Sequence, residues 1–368
     1  MAIAKENVNP ILYTPDIETV DEDESVLTDE IVEKMAGASR CAFERHRHAI
    51  RDAHAKSNGV LKGQLVVHAG LPVELRQGVF AHPRTYDVVA RLSSAPGDIH
   101  SDEIPAARGF ALKIIGVEGE RLSPSIGGSN QDFLMVNFPA LAFGTIPKYK
   151  RMLALLEANS HAPDTFQRLV AGTAHGAKQL LESLGGTPGA TLEGLARDNH
   201  HPLGETYHTQ AAIRFGAHVA KLALQPASDS VRSLAGKAVD NVRYAGMRDA
   251  VSAHFAQHGA EYTLTAQLCT DLAGMPVEDA AVAWPEALSP HRAVATLRFA
   301  PQSTAHPARL VYGDDVLSFN PWNGIAAHQP LGGIMRIRRA AYERSTAFRH
   351  AMNARPRIEP SSAADIPD

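Results

Sequence analysis

The sequence predicts an α+β fold built around an antiparallel sheet or barrel. Three observations carry this expectation. Short apolar runs, separated by Gly, Pro, Ser and Asp clusters, recur in two blocks of the chain. Segments with apolar residues at helical spacing lie between and after those blocks. The resulting order of strands, helices, strands and helix is not the strict alternation of a doubly wound sheet. Residues 1 to about 30 read as an extended arm, free or laid on a partner subunit, because Pro10 and Pro15 interrupt any helix and Asp21-Glu22-Asp23-Glu24 is a solvated acidic run. A helix follows from Thr28 to about Ser57, opened by a cap and first-turn carboxylates at Thr28-Asp29-Glu30. Strands are expected at Val66-Val67, Val88 to Leu92, Phe110 to Ile115 and Phe133 to Val136. Helical spacing then covers Pro147 to Asn159 and Asp164 to Leu184, up to the breaker Gly185-Gly186-Thr187-Pro188-Gly189. Strands return at Ile213 to Phe215, Val219 to Leu224, Tyr262 to Leu268 and Val294 to Phe299, with a helix at Met247 to Gln257 among them. The last helix runs from about Gly333 to Asn353, before a polar tail. No repeat and no composition shift follows, so the expected organisation is an arm over 1–40 and a single core over 41–368.

Composition narrows the function. The 368 residues carry 36 Lys+Arg against 40 Asp+Glu, a net charge of −4, which argues against a polybasic nucleic-acid or membrane-surface partner. Cys41 and Cys269 cannot form a disulfide framework, which points to a reducing compartment. No apolar run reaches membrane-span length and the first residues lack a secretory h-region, so a cytoplasmic protein is expected. The 18 histidines invite a search for metal sites. His46 and His48, two apart on the expected helix, face different directions, and His200-His201 reads as loop. Neither pair offers a convergent ligand set. Walker, Gly-x-Ser-x-Gly and His-Glu-x-x-His signatures are absent.

One constellation stands apart. Arg338-Arg339-Ala340-Ala341-Tyr342 places Arg338 and Tyr342 at i and i+4 on one helical face. A guanidinium held against a phenol favours the phenolate, and a buried tyrosinate is a strong oxygen ligand for ferric iron. Arg349, seven residues on, lies on roughly the same face, within reach of a haem propionate. Alone, the pattern also fits a surface cation beside a packing aromatic.

Further motifs accompany it in order: Gln64-Leu65-Val66-Val67-His68-Ala69, Arg91-Leu92-Ser93, Arg108-Gly109-Phe110-Ala111-Leu112-Lys113, Gly127-Gly128-Ser129-Asn130 and Phe319-Asn320-Pro321. Together these resemble the haem catalase family over about residues 60 to 350. The resemblance implies an antiparallel eight-stranded β-barrel of catalase type with flanking helices and a C-terminal helix that ligates haem b through Tyr342, supported by Arg338. It implies His68 as the distal acid–base group and Asn130 as its partner, with a one-residue ambiguity at Ser129. Phe143 then matches the aromatic stacked on the distal haem face, Arg91 and Arg349 the propionate-binding arginines, and Ser93 the serine near the distal histidine.

The departures also bear on function. Leu65 stands where the family carries an arginine three residues before the distal histidine, and Glu343-Arg344-Ser345-Thr346 replaces a Pro-Asp-Thr segment. The chain is short for a catalase and stops soon after the proximal helix, so the resemblance is to the compact catalase-related peroxidases, the mini-catalases. The expected activity is haem-dependent reduction of hydrogen peroxide or organic hydroperoxides by a small organic reductant, with weak catalase activity, in a homo-oligomer. The alternatives are fatty-acid hydroperoxide rearrangement of the allene oxide synthase type, a haem carrier or sensor, and a haem-free structural relative.

Overall fold

The computed structural model describes residues 9–95, 97–103, 106–123, 128–158, 199–239 and 244–368. The helix expected over 164–184, its glycine breaker and Gly127 fall outside these residues. Nine strands form one sheet: β1 Lys56–Val67, β2 Thr85–Ser94, β3 Arg108–Ile114, β4 Gln131–Val136, β5 Tyr207–His208, β6 Ile213–Phe215, β7 His218–Pro226, β8 Ala260–Leu268 and β9 Arg292–Phe299. The two-residue β5 pairs with both β4 and β7, which closes an eight-stranded antiparallel barrel, while β6 adds to β7 outside that ring. The principal helices among the described residues are α1 Glu24–His46, α2 Ile146–Ala158, α3 Gly246–Phe255 and α4 Gly333–Met352.

Strand alternation divides the barrel into two layers. Val88, Ala90 and Leu92 of β2, with Phe110, Leu112 and Ile114 of β3 and Phe133 and Met135 of β4, point inward and join the main core. The intervening residues form the outer face, and antiparallel register sets them in rows. Ser93, Gly109 and Val136 make one row, Arg91, Ala111 and Leu134 the next, and Val89, Lys113 and Asp132 the third. This outer face faces α4 rather than solvent: Arg91 and Ser93 are buried, and Lys113 is fully so.

The third row is closed by the tail after α4. Lys113 Nζ lies 2.7 Å from Asp132 and 2.7 Å from Glu359. Asp132 also accepts the Asn320 backbone N–H at 2.9 Å, which fixes the Asn320-Pro321-Trp322-Asn323 turn. Burial raises the Asp132 carboxyl against the pull of Lys113, while Lys113 lowers Glu359. Lys113 bridges the two buried carboxylates, and Arg357 adds a second cation to Glu359 at 2.8 Å.

The arm lies on its own barrel. Ile11 donates to Cys269 O and Tyr13 to Ala217 O, both at 2.8 Å. Its Glu18 joins Glu24 and Glu278 around Arg336 of α4 at 2.6, 2.6 and 3.0 Å. α1 begins at Glu24, inside the expected arm, and runs unbroken across residue 40. It ends at His46, earlier than its composition suggests, with Arg47 in the left-handed region as its cap. Arg91 donates to the carbonyls of His54 and Ala55 at 3.0 and 2.9 Å, which fixes the loop that leads into β1. β1 starts immediately afterwards, ten residues ahead of the expected strand.

Two predictions follow from these buried groups. Lys113→Met strands the fully buried Asp132, while Glu359 keeps Arg357, and should cost about 3–5 kcal/mol, read as a fall in the urea midpoint. His328 is 1% exposed, among the rings of Phe80, Phe133 and Phe215, each 5.6 Å away. Its Nε2 accepts the Val79 N–H at 3.0 Å, which requires that nitrogen to be deprotonated, and burial lowers its pKa from 6.5 to about 4. Over that interval the unfolded chain binds a proton that the folded chain excludes. Stability attributable to His328 is thus complete above pH 6.5 and lost as pH falls towards 4, at up to roughly 1.4 kcal/mol per unit. Denaturation at pH 7 and pH 5 checks this, and His328→Gln should flatten the dependence.

Candidate active site

A cavity partly open to solvent lies between the outer face of β2–β3–β4 and α4. Its wall on the barrel side is the first two rows of the outer face, from Ser93, Gly109 and Val136 to Arg91, Ala111 and Leu134. Opposite, α4 contributes Arg338, Tyr342, Ser345, Thr346 and Arg349 at spacings that keep them on one helical stripe. Arg338 Nη2 donates to Tyr342 Oη at 2.8 Å, with its guanidinium 5.1 Å from the ring centroid. The phenolic oxygen is thus held by a fixed cation.

The loop between α1 and β1 supplies the third wall with Arg51, Asp52, Ala53 and His54. His54 adopts φ +51°, the left-handed region, where a residue with a side chain is strained. Arg91 offsets this strain by holding its carbonyl. The partly exposed face of His54 opens into the cavity, and its Nδ1 atom is buried with no hydrogen-bond partner. Burial, reinforced by Arg91, Arg338 and Arg108, lowers its pKa from 6.5 to about 4, so the imidazole is neutral at pH 7. Gln210, also left-handed at φ +62°, lines the cavity from the β5–β6 connection, with its Nε2 anchored on Ala140 O at 2.8 Å.

Charge is unbalanced at one end. Arg51, Arg91 and Arg349 converge on residues 313–318: Arg51 Nη2 reaches Gly313 O at 2.6 Å, Arg91 Nη2 reaches Asp314 Oδ1 at 3.1 Å, and Arg349 Nη1 reaches Asp314 O at 2.6 Å. Asp314 Oδ1 also takes Arg51 Nη1 at 3.2 Å, so one carboxylate serves two guanidiniums. Burial, together with repulsion from Arg91 and Arg349, pulls Arg51 well below the ordinary arginine range, and Arg349 falls to about 10 for the same reasons. The guanidiniums of Arg91 and Arg349, both buried, and of Arg51 lie near the carboxylates of Asp314 and Asp315, and Asp52 also lines the cavity.

Of the residues expected from sequence, the structure brings Tyr342, Arg338, Arg349, Arg91 and Ser93 to this cavity. It does not bring His68, Asn130 or Phe143 there. His68 follows the far end of β1, a strand that spans roughly 40 Å, and its Nε2 pairs with Thr296 Oγ1 at 2.8 Å. Asn130 donates to Glu359 Oε2 and Pro360 O, both at 3.0 Å, beside the Lys113 network. Phe143 is buried in the segment between β4 and α2 and does not line the cavity. Sequence reasoning missed His54 and Arg51, although the signal was present. The arginine absent from position 65 stands at Arg51, three residues before His54, in Arg51-Asp52-Ala53-His54-Ala55-Lys56. Among the described residues no group of three His, Cys, Asp or Glu side chains could hold a metal.

Gly109 gives a direct test of the geometry. A Cβ there would sit 2.6 Å from Ser93 Oγ and 2.7 Å from His54 Nδ1. Gly109→Ala should therefore displace His54, cost roughly 1–3 kcal/mol of stability, and shift the His54 imidazole resonances in the NMR spectrum. An unchanged His54 signal would contradict this packing.

No family model matches the sequence, and no curated protein matches it. Among solved structures, a fungal catalase determined at 1.9 Å is similar with TM-score 0.58 and 16% identity, over 84% of this chain and 62% of that one. Catalase A from Saccharomyces cerevisiae is similar with TM-score 0.57 and 14% identity, over 89% of this chain and 69% of that one. The chain thus spans about three fifths of the length of the first. Among the described residues no helix is long and apolar enough to cross a membrane. At such identities the likeness establishes architecture alone: the chain has the catalase-type fold, a closed eight-stranded antiparallel barrel with flanking helices.

Proposed function

We propose that the cavity holds haem b and that the protein is a haem-dependent peroxidase, reducing hydrogen peroxide or organic hydroperoxides with weak catalase activity. The observation that carries this reading is a single cavity with Tyr342 fixed by Arg338 on one wall and a neutral His54 fixed by Arg91 on another. The residues present fit the group. Tyr342 offers the oxygen ligand that tyrosine-ligated haem requires. Arg51, Arg91 and Arg349 offer guanidinium donors to its two propionates. The hydrogen-only side of Gly109 leaves room for His54 beside Ser93.

When bound, haem supplies the redox chemistry that no side chain here possesses. The chain's own residues bind and orient the peroxide and move its proton. His54, neutral at pH 7, takes the proton from one peroxide oxygen and returns it to the other, acting as base and then acid. A pKa near 4 makes the return step easy, because the proton is weakly held. In this assignment His54 takes the acid–base role expected of His68.

Tyr342→Phe should abolish or greatly weaken haem retention, read as loss of the Soret band. His54→Gln should keep that band and slow peroxide consumption about 10²–10⁴-fold. A purified protein with no Soret band after expression with adequate haem overturns the haem reading. Fast oxygen release from hydrogen peroxide, with no oxidation of a reducing dye, overturns the choice of peroxidase.

A further inference from the structure

Beside the main cavity lies a second, of about 370 Å³, between α1 and α4. It exists because the two helices turn small residues into their interface. Val32, Met35 and Ala36 line it from α1 at helical spacing, and Ala341, Ser345 and Phe348 line it from α4. Ala36 and Ala341 leave a gap that longer side chains would fill, against the close packing normal for helix interfaces. Phe348 supplies an aromatic wall, its ring held edge-on to Phe43 with centroids 6.2 Å apart.

The polar groups of this slot are of two kinds. Towards solvent, Arg40 and Arg344, with side chains 52% and 50% exposed, share one carboxylate, Glu33, at 2.9 and 2.8 Å. Two cations against one anion leave a net positive charge at the mouth. Inward, Asp52 and Ser345 line this cavity and the main one alike, and a Ser345 hydrogen bond helps hold the Asp52 carboxylate. The two cavities therefore adjoin at a carboxylate two residues from His54.

We propose that this second cavity is the reductant site and that it takes a small phenolic carboxylate, with its acid group at Arg40 and Arg344, its ring against Phe348, and its hydroxyl at Asp52 and Ser345. The assignment rests on the peroxidase reading above. The balance is complete. Each phenol gives up one electron and its hydroxyl proton, which passes to the Asp52 carboxylate and then to water. Two such donors and two protons convert one ROOH into ROH and H₂O by breaking the O–O bond, and the donors leave as two phenoxyl radicals. Burial strengthens the hold of Asp52 on a proton, which suits it to receive one.

The probe is 4-hydroxybenzoate, and its binding to the purified protein is followed by calorimetry and ligand-observed NMR, independently of turnover. Wild-type protein should bind it, with benzyl alcohol, which lacks both the acid group and the phenolic hydroxyl, at least 5-fold weaker. Ala36→Phe, which fills the slot, should weaken binding at least 10-fold and raise the KM for this donor by a similar factor, with the Soret band unchanged. The exposed double variant Arg40→Ala/Arg344→Ala should weaken binding of the carboxylate but not of benzyl alcohol, and serves if Ala36→Phe does not fold. Binding that is absent from the wild type, or indifferent to these substitutions, overturns the proposal. So does donor oxidation whose KM ignores the slot. Loss of the Soret band or of peroxide reduction from the wild type is a different failure, that of the peroxidase reading itself.

Discussion

The guanidinium of Arg91 is the interaction on which the cavity depends. From the outer face of β2 it reaches three places at once: the carbonyls of His54 and Ala55, and the carboxylate of Asp314. The first two bonds hold the loop before β1 in its strained form and aim His54 inward. The third draws residues 313–318 to the same point, where Arg51 and Arg349 also bind. A lysine could not serve here, since it offers a point charge in place of a planar fork of donors. Barrel, loop and proximal helix are thus registered on one side chain.

The electrostatics of the site follow from that convergence. A cluster of buried arginines is unfavourable in itself, and the lowered proton affinities of Arg51 and Arg349 express the strain. Burial, with Arg91, Arg338 and Arg108, keeps His54 neutral. A ligand carrying two negative groups would relieve the arginines. The third row behaves in the opposite way: Lys113, Asp132 and Glu359 are matched among themselves and tie the tail to the barrel. One row is arranged for binding and the next for structure, a single strand repeat apart.

How much of this was legible in the sequence depended on how local each feature is. α4 was read almost to the residue because its apolar spacing and the glycines before it are local signals, and Arg338, Tyr342 and Arg349 came with it because one helix fixes their relation. β6 matched its expected bounds, and β2, β3 and β4 were recovered to within three residues, because their alternating apolar residues feed the barrel core. The first half of β1 was not recovered. Its Lys56, Asn58, Gly59, Lys62 and Gly63 are poor strand formers, and its place is fixed by pairing with β2, while β9 pairs only from Gln64 onward. With that stretch missed, Arg51 to Ala55 looked helical and the expected motif was placed at His68. The two residues of β5 that close the barrel carry no local signal at all. Nor could spacing alone reveal the charge imbalance around Asp314, which joins residues from four separate stretches of chain.

The capping of α4 has a kinetic meaning. Gly332 N–H is bound by Glu18 and Gly333 N–H by Glu278, at 2.8 and 2.7 Å, so the start of the helix that carries Tyr342 is held partly by a residue 314 positions earlier. β1, which follows the His54 loop, pairs with β9 near the other end of the sequence. Contacts of such separation pay their loop-closure entropy before they return any stability, and they form late. The cavity is therefore assembled after the local hairpin β6–β7, and a ligand bound there stabilises the finished chain rather than guiding its early folding.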